Sequence, residues 1–177
     1  MIHPATQAAA RTLIDESAAR GAAAVSDATT AHKFLDWAVE ALTLKLPLYD
    51  WAGVYLVRGD ELVLQCYRGE PSPHTRIPLG HGICGAAVAE EQTIVVSDVH
   101  SDPRYLACSI DTRSEIVVPI RLGDAIAGEI DIDSHSPDAF DDDDRAFLEK
   151  LAEHMGHALR RAGAMPPEPA FTSIAES

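Results

Sequence analysis

Apolar and polar positions recur along this chain with two different periods, and the changes of period mark out its elements. Residues 7–20 are Ala-rich, with Leu13 and Ile14 their bulkiest apolar positions, and predict a weakly amphipathic helix ended by Gly21. The small residues of 22–30 predict a linker or a second short helix. Over 32–45, Phe34, Trp37, Ala38, Ala41, Leu42 and Leu44 return at helical spacing, and Pro47 closes the segment. The period then falls to two. Residues 52–57 and 61–67 predict two strands around the turn Gly59-Asp60, an antiparallel hairpin. Residues 69–83, with Pro71, Pro73, Pro78, Gly80 and Gly82, read as a loop, and a short Ala-rich helix follows it over 85–90. Further strands are predicted at 93–96, 115–120 and 125–134, with Pro119 marking an edge or a bulge. Between them, 98–112 is polar and irregular. The last helix begins near Asp141. Acids in its first turn suit the macrodipole, and Phe147, Leu148, Leu151, Met155, Ala158 and Leu159 form one apolar stripe.

Helices at both ends of a mainly antiparallel run of five or six strands predict an α/β fold, a three-layer α/β/α sandwich around a central sheet. The expected organisation is an N-terminal helical segment (1–30), one domain (31–163) and a flexible C-terminal tail (164–177) containing Pro166, Pro167 and Pro169.

Composition narrows the function. At 46% hydrophobic residues the 177-residue chain can build a core. Fourteen Lys and Arg against 28 Asp and Glu leave a net charge of −14, which repels nucleic-acid phosphates and anionic lipid. No apolar run reaches a membrane span and the first residues lack a secretory pattern, so a cytoplasmic protein is expected. Three cysteines, Cys66, Cys84 and Cys108, do not make a disulfide framework. They are buried hydrophobes or redox-active thiols.

Four groups carry candidate chemistry. Trp51 and Tyr55 open a strand and could wall a pocket, or simply fill the core. Cys84 lies between Gly82 and Gly85, where the backbone can approach a ligand and where a helix start would lower a thiol pKa; a structural Cys in a tight turn fits as well. Cys108 follows Asp98-Val99-His100 in the polar stretch and is the better nucleophile candidate, because a reactive thiol needs access. Glu115, Asp131 and Asp133 are acids on otherwise apolar strands, and Asp131 and Asp133, two apart, share a face. Burying them requires an ammonium ligand, a metal ion or a proton; at strand ends in solvent they require nothing. No metal site is expected from His81, Cys84, His100 and Cys108, whose spacings match no ligand motif. No P-loop, dinucleotide fingerprint or nucleophile elbow is present.

Taken in order, these stretches resemble the free methionine-(R)-sulfoxide reductases, which are stand-alone GAF domains. The resemblance rests on Trp51-Ala52-Gly53-Val54-Tyr55-Leu56, residues 76–85, Asp98-Val99-His100, Ala107-Cys108, Ser114-Glu115-Ile116-Val117-Val118-Pro119, Asp131-Ile132-Asp133-Ser134 and Phe140-Asp141. It implies a GAF fold and thiol-dependent reduction of free methionine sulfoxide. Trp51 and Tyr55 would wall the methyl end of the substrate, and Glu115, Asp131 and Asp133 would hold its ammonium. Cys108 would attack sulfur and become a sulfenic acid, and a second thiol would resolve it. The resemblance implies no cofactor, an external reductant such as thioredoxin, and leaves a homodimer open. Such proteins typically carry a further, resolving cysteine ten residues before Cys84; His74 stands there, and Ser109 stands where Asp commonly follows the second cysteine. The resolving thiol is then Cys84, Cys66 or an external one. A non-catalytic GAF domain that senses a small ligand is the alternative reading.

Overall fold

The computed structural model describes residues 4–107 and 109–171, and at residues 4, 5, 22 and 23 the backbone alone. Helices α1 (Pro4–Ala23) and α2 (Ala28–Lys45) precede strands β1 (Trp51–Arg58), β2 (Glu61–Arg68) and the short β3 (Arg76–Pro78). Helix α3 (Gly82–Glu90), β4 (Ile94–Val96), β5 (Ser114–Leu122), β6 (Ala125–Ser134) and α4 (Asp142–Ala162) complete the order. The strands form one sheet in the order β3-β2-β1-β6-β5-β4, every neighbouring pair antiparallel.

Two apolar clusters lie on opposite faces of this sheet. The larger packs α1, α2 and α4 on Ala52, Val54, Leu56, Ile116, Val118, Ile130 and Ile132. The smaller packs α3 on Trp51, Tyr55, Leu62, Leu64 and Val117. The three-layer expectation holds, with one layer thick and the other a single short helix with loops. That thin layer leaves room for a site. Helix α3 sits close because Gly85 has no side chain: a Cβ there would lie 2.9 Å from Pro78 O and Gly80 N.

Local expectations fail where packing overrides the sequence signal. Helix α1 does not stop at Gly21. A Cβ at that position would lie 3.2 Å from the Phe34 ring, so this glycine allows α1 and α2 to approach rather than ending a helix. Helix α2 starts four residues earlier than expected, because Asp27 caps it: its carboxylate accepts from Thr30 N at 2.8 Å in a reciprocal capping box. Within the expected loop, 76–78 pair with β2 as β3. Pro119 lies on β5 beyond the last residue paired to β4, Val117, so its missing N–H breaks no ladder on that side. The segment read as a flexible tail lies against the sheet as far as Phe171. Gln65 Nε2 donates to Pro167 O at 3.2 Å, Arg58 donates to Pro166 O, Arg76 pairs with Glu168, and Phe171 meets the Tyr67 ring.

Candidate functional site

The strand register gathers the predicted acids. Asp133 of β6 stands opposite Trp51 of β1 and Glu115 of β5; Asp131 stands opposite Gly53 and Val117. All of them face α3. Residues at i and i+2 share a face, so the same rule brings in a fourth acid that the sequence analysis passed over: Glu129, opposite Tyr55 and Pro119. The alternation Glu129-Ile130-Asp131-Ile132-Asp133 was the available signal. Exposure is 5% at Glu115, 2% at Asp131, 3% at Asp133 and 0% at Glu129, so these carboxyls are not the solvated strand-end acids of the alternative reading.

Cys84 comes down from α3 into this cluster. Its thiol donates to Asp131 Oδ2 at 3.5 Å and lies 3.9 Å from Glu115 Oε1. This overturns the expectation that a helix start lowers its pKa. Burial, followed by the charges of Asp131, Glu129 and Glu115, pushes the thiol well above its ordinary value. Cys84 therefore rests as a neutral donor. Burial pushes the acids up as well: Glu129 to about 8, and Asp131 to about 8 with the charge of Glu129 adding to it. Glu115 and Asp133 rise by burial and by the neighbouring Asp131. Both Glu129 oxygens and Asp131 Oδ1 are buried without a hydrogen-bond partner. Among the described residues no Lys or Arg joins this face of four carboxyls; their raised pKa values favour the protonated form, and the face suits a positive group.

Trp51 covers the end of this cluster. Its indole N–H donates to Glu70 O at 2.9 Å, and the ring stacks on Tyr67 at 5.8 Å. The indole lies across Gly53, where a Cβ would come within 2.2 Å of it. Beside it is a cavity of about 30 Å³ lined by Asp50, Trp51, Glu70, Ser72, Ser109, Thr112, Asp133 and His135. That volume holds about one water. Larger depressions of about 470–480 Å³ are open grooves that touch none of the four acids. Tyr55 is fully buried under the site rather than on this cavity, with its hydroxyl donating to His74 O at 2.8 Å. Ser72, Thr112 and His135 carried no signal in the sequence: they come from three separate segments with no shared spacing.

The cysteines separate. Cys66 packs in the helix-side cluster, on the opposite face of the sheet from Cys84, and burial raises its pKa. It faces away from the acids and from Cys84. Cys108 lies outside the described residues. Of its chain neighbours, Ser109 lines the cavity, and Ala107 O is 3.3 Å from His74 Nε2. His100 is half exposed and lies 3.5 Å from Asp98.

The GAF domain family matches residues 28–159. A curated relative from Escherichia coli (strain K12), a free methionine-R-sulfoxide reductase, is 39% identical over 110 residues, 62% of this chain and 66% of that protein. A solved type II free methionine-R-sulfoxide reductase from Thermoplasma acidophilum is 39% identical, with a TM-score of 0.72 over 75% of this chain and 94% of its own. A free methionine-R-sulfoxide reductase from Neisseria meningitidis, solved with its substrate, is 32% identical, with a TM-score of 0.83 over 92% of this chain and 95% of its own.

Proposed function

The chain belongs to the free methionine-R-sulfoxide reductase family of GAF domains, and we propose that it holds free methionine-R-sulfoxide between Trp51 and the acids of β5 and β6 while Cys108 reduces it. The activity is thiol-dependent conversion of that sulfoxide to methionine. One observation supports the siting above the others: Glu115, Asp131 and Asp133 meet Trp51 and Cys84 on one face of the sheet, all buried, with Asp131 Oδ1 lacking a partner.

The substrate is a zwitterion. Its ammonium sits against Glu115, Asp131 and Asp133, and its charge lowers their pKa values and ionises them in part. The indole of Trp51 covers the methyl and thioether end. Tyr55, tied to the His74 carbonyl, supports this wall from below. Cys108 attacks the sulfoxide sulfur, the oxygen passes to Cys108, and a proton from the carboxyl cluster reaches that oxygen. Methionine leaves and Cys108 is a sulfenic acid. Cys84 then condenses with it to a disulfide and water: Asp131, which accepts the Cys84 S–H, relays that proton to the hydroxyl oxygen leaving Cys108. An external dithiol of the thioredoxin type reduces the disulfide. Cys84 fills the resolving role because Cys66 faces away and His74 has no thiol.

Among the described residues no helix is long and apolar enough to cross a membrane. A cytoplasmic setting, where dithiol reductants are abundant, belongs to the same proposal. So does a homodimer through the terminal helices.

The purified chain, given free L-methionine-R-sulfoxide with thioredoxin or dithiothreitol, is expected to release methionine and to leave the S isomer intact. Chromatography of the amino acids reads both. No methionine from the R isomer removes the reading.

Gly53→Ala tests the wall. The added methyl group lies within 2.2 Å of the indole and must move it off the acids. A rise of about tenfold in KM is expected, with the far-ultraviolet circular dichroism unchanged. An unchanged KM would place the substrate away from Trp51.

A further inference from the structure

The cluster has the shape of a metal site as well as that of an ammonium pocket. Cys84 Sγ, one oxygen of Glu115 and one of Asp131 lie within 4.8 Å of one another, all buried. Sulfur is 3.5 Å from Asp131 Oδ2 and 3.9 Å from Glu115 Oε1. In a tetrahedral zinc site, with Zn–S about 2.3 Å and Zn–O about 2.0–2.2 Å, sulfur and oxygen ligands stand roughly 3.6 Å apart. The two measured distances are already close to the edges of such a tetrahedron. A second observation points the same way. Both Glu129 oxygens, on the same strand face and fully buried, have no hydrogen-bond partner, and neither has Asp131 Oδ1. Donor atoms left without partners in a dry interior are what a cation satisfies.

We propose that Cys84, Glu115 and Asp131 bind a thiophilic divalent cation of the Zn²⁺ class, with a water as the fourth ligand. One thiolate and two carboxylates bring three negative charges to a 2+ ion. Binding releases the Cys84 thiol proton, and any held by Glu115 and Asp131, to the buffer. The thiolate sets the choice of metal: Zn²⁺, Co²⁺ and Cd²⁺ are favoured over Mg²⁺ and Ca²⁺, which prefer oxygen alone. The ion would sit where the substrate ammonium sits and would hold the resolving thiol, so metal and sulfoxide exclude each other. This last step rests on the reading of the cluster as the ammonium pocket; the metal site itself does not. The sequence concealed it, because its ligands are 31 and 16 residues apart (115 − 84 and 131 − 115), far from any compact ligand motif.

The test is a titration of the reduced, metal-free full chain with Co²⁺, read in the near-ultraviolet for thiolate-to-cobalt charge transfer and in the visible for tetrahedral d–d bands. One equivalent should produce both, and Zn²⁺ should abolish both. Cys84→Ser, shown folded by circular dichroism, should lose the charge-transfer band; Cys66→Ser and Cys108→Ser should keep it. Asp131→Asn should weaken Co²⁺ binding by about tenfold or more. No band in the wild type, a band that survives Cys84→Ser, or competition by Mg²⁺ as effective as that by Zn²⁺ overturns the proposal. Adding methionine-R-sulfoxide to the Co²⁺ form separates the two readings. Loss of the bands supports both. Bands that persist under saturating sulfoxide leave the metal site standing and count against the ammonium pocket.

Discussion

Cys108→Ser is expected to release no methionine from free methionine-R-sulfoxide, a loss of at least about a thousandfold in kcat. A hydroxyl at neutral pH is no substitute for a thiolate attacking sulfur, and the other two thiols cannot replace it. Cys66 is buried on the far face of the sheet, with its pKa raised. Cys84 is held protonated by burial and by three neighbouring acids. Its loss has a different signature. Cys84→Ser should still release about one equivalent of methionine in a single turnover and leave Cys108 as a sulfenic acid that dimedone traps. Steady turnover with thioredoxin should fall, and a small thiol should restore part of it. The measurements are methionine released per chain and the mass of the trapped adduct. Undiminished turnover by Cys108→Ser would show the nucleophile to be another group. Full thioredoxin-dependent turnover by Cys84→Ser would pass the resolving step to an external thiol.

Glu129→Met should stabilise the ligand-free protein, and by an amount that depends on pH. The folded-state pKa of Glu129 is about 8, raised by burial, whereas an unfolded Glu titrates near 4.3. Below pH 4 both states keep the proton and the group contributes no difference. Between about 4.5 and 8 the unfolded chain has released the proton and the folded chain retains it, so stability falls as pH rises. Above 8 the loss is complete, about 5 kcal/mol for this group. Asp131, also raised to about 8, slopes in the same direction. This is the reverse of the usual salt-bridged carboxylate, which loses stability in acid. Met fills a similar volume and needs no partner where both Glu129 oxygens have none. Urea unfolding at pH 4 and pH 8, with a chelator present, is expected to show near equality at the lower pH and a clear gain for the variant at the higher. Equal gains at both would mean that packing, not charge, is the cause.

The four-carboxyl face explains why such a costly arrangement is kept. An empty cluster must carry protons, and a cationic ligand replaces them with a charge that all four acids can share. Stability forgone in the ligand-free state becomes selectivity for a positive group.

Much of this was legible in the chain. Period-two and period-3.6 patterns gave the order of the main strands and helices, because burial of one face imposes those periods wherever an element packs. Alternation alone placed Asp131 and Asp133 together. It also contained Glu129, which needed only one more step of the same rule. What the pattern could not supply was the competition between neighbours. Gly21 carries the signal of a helix stop, yet Phe34 packs against it and the helix runs on. Cys84 carries the signal of an activated thiol, yet desolvation among three acids outweighs the helix start.

The sharpest division concerns Cys66. By alternation it should share a face with Leu62 and Leu64, which point toward the site. The sheet has a bulge there: Val54 pairs with Cys66 and Tyr55 with Leu64, leaving Gln65 as the extra residue. One unpaired residue reverses the facing of everything beyond it, and Cys66 ends among the helices. The sequence by itself determined which residues alternate, and so the layers and most of the acid cluster, because side-chain direction along a regular strand is a local property. Which thiol meets those acids was decided only in the tertiary structure, because a bulge is set by the pairing of two strands and not by either one alone.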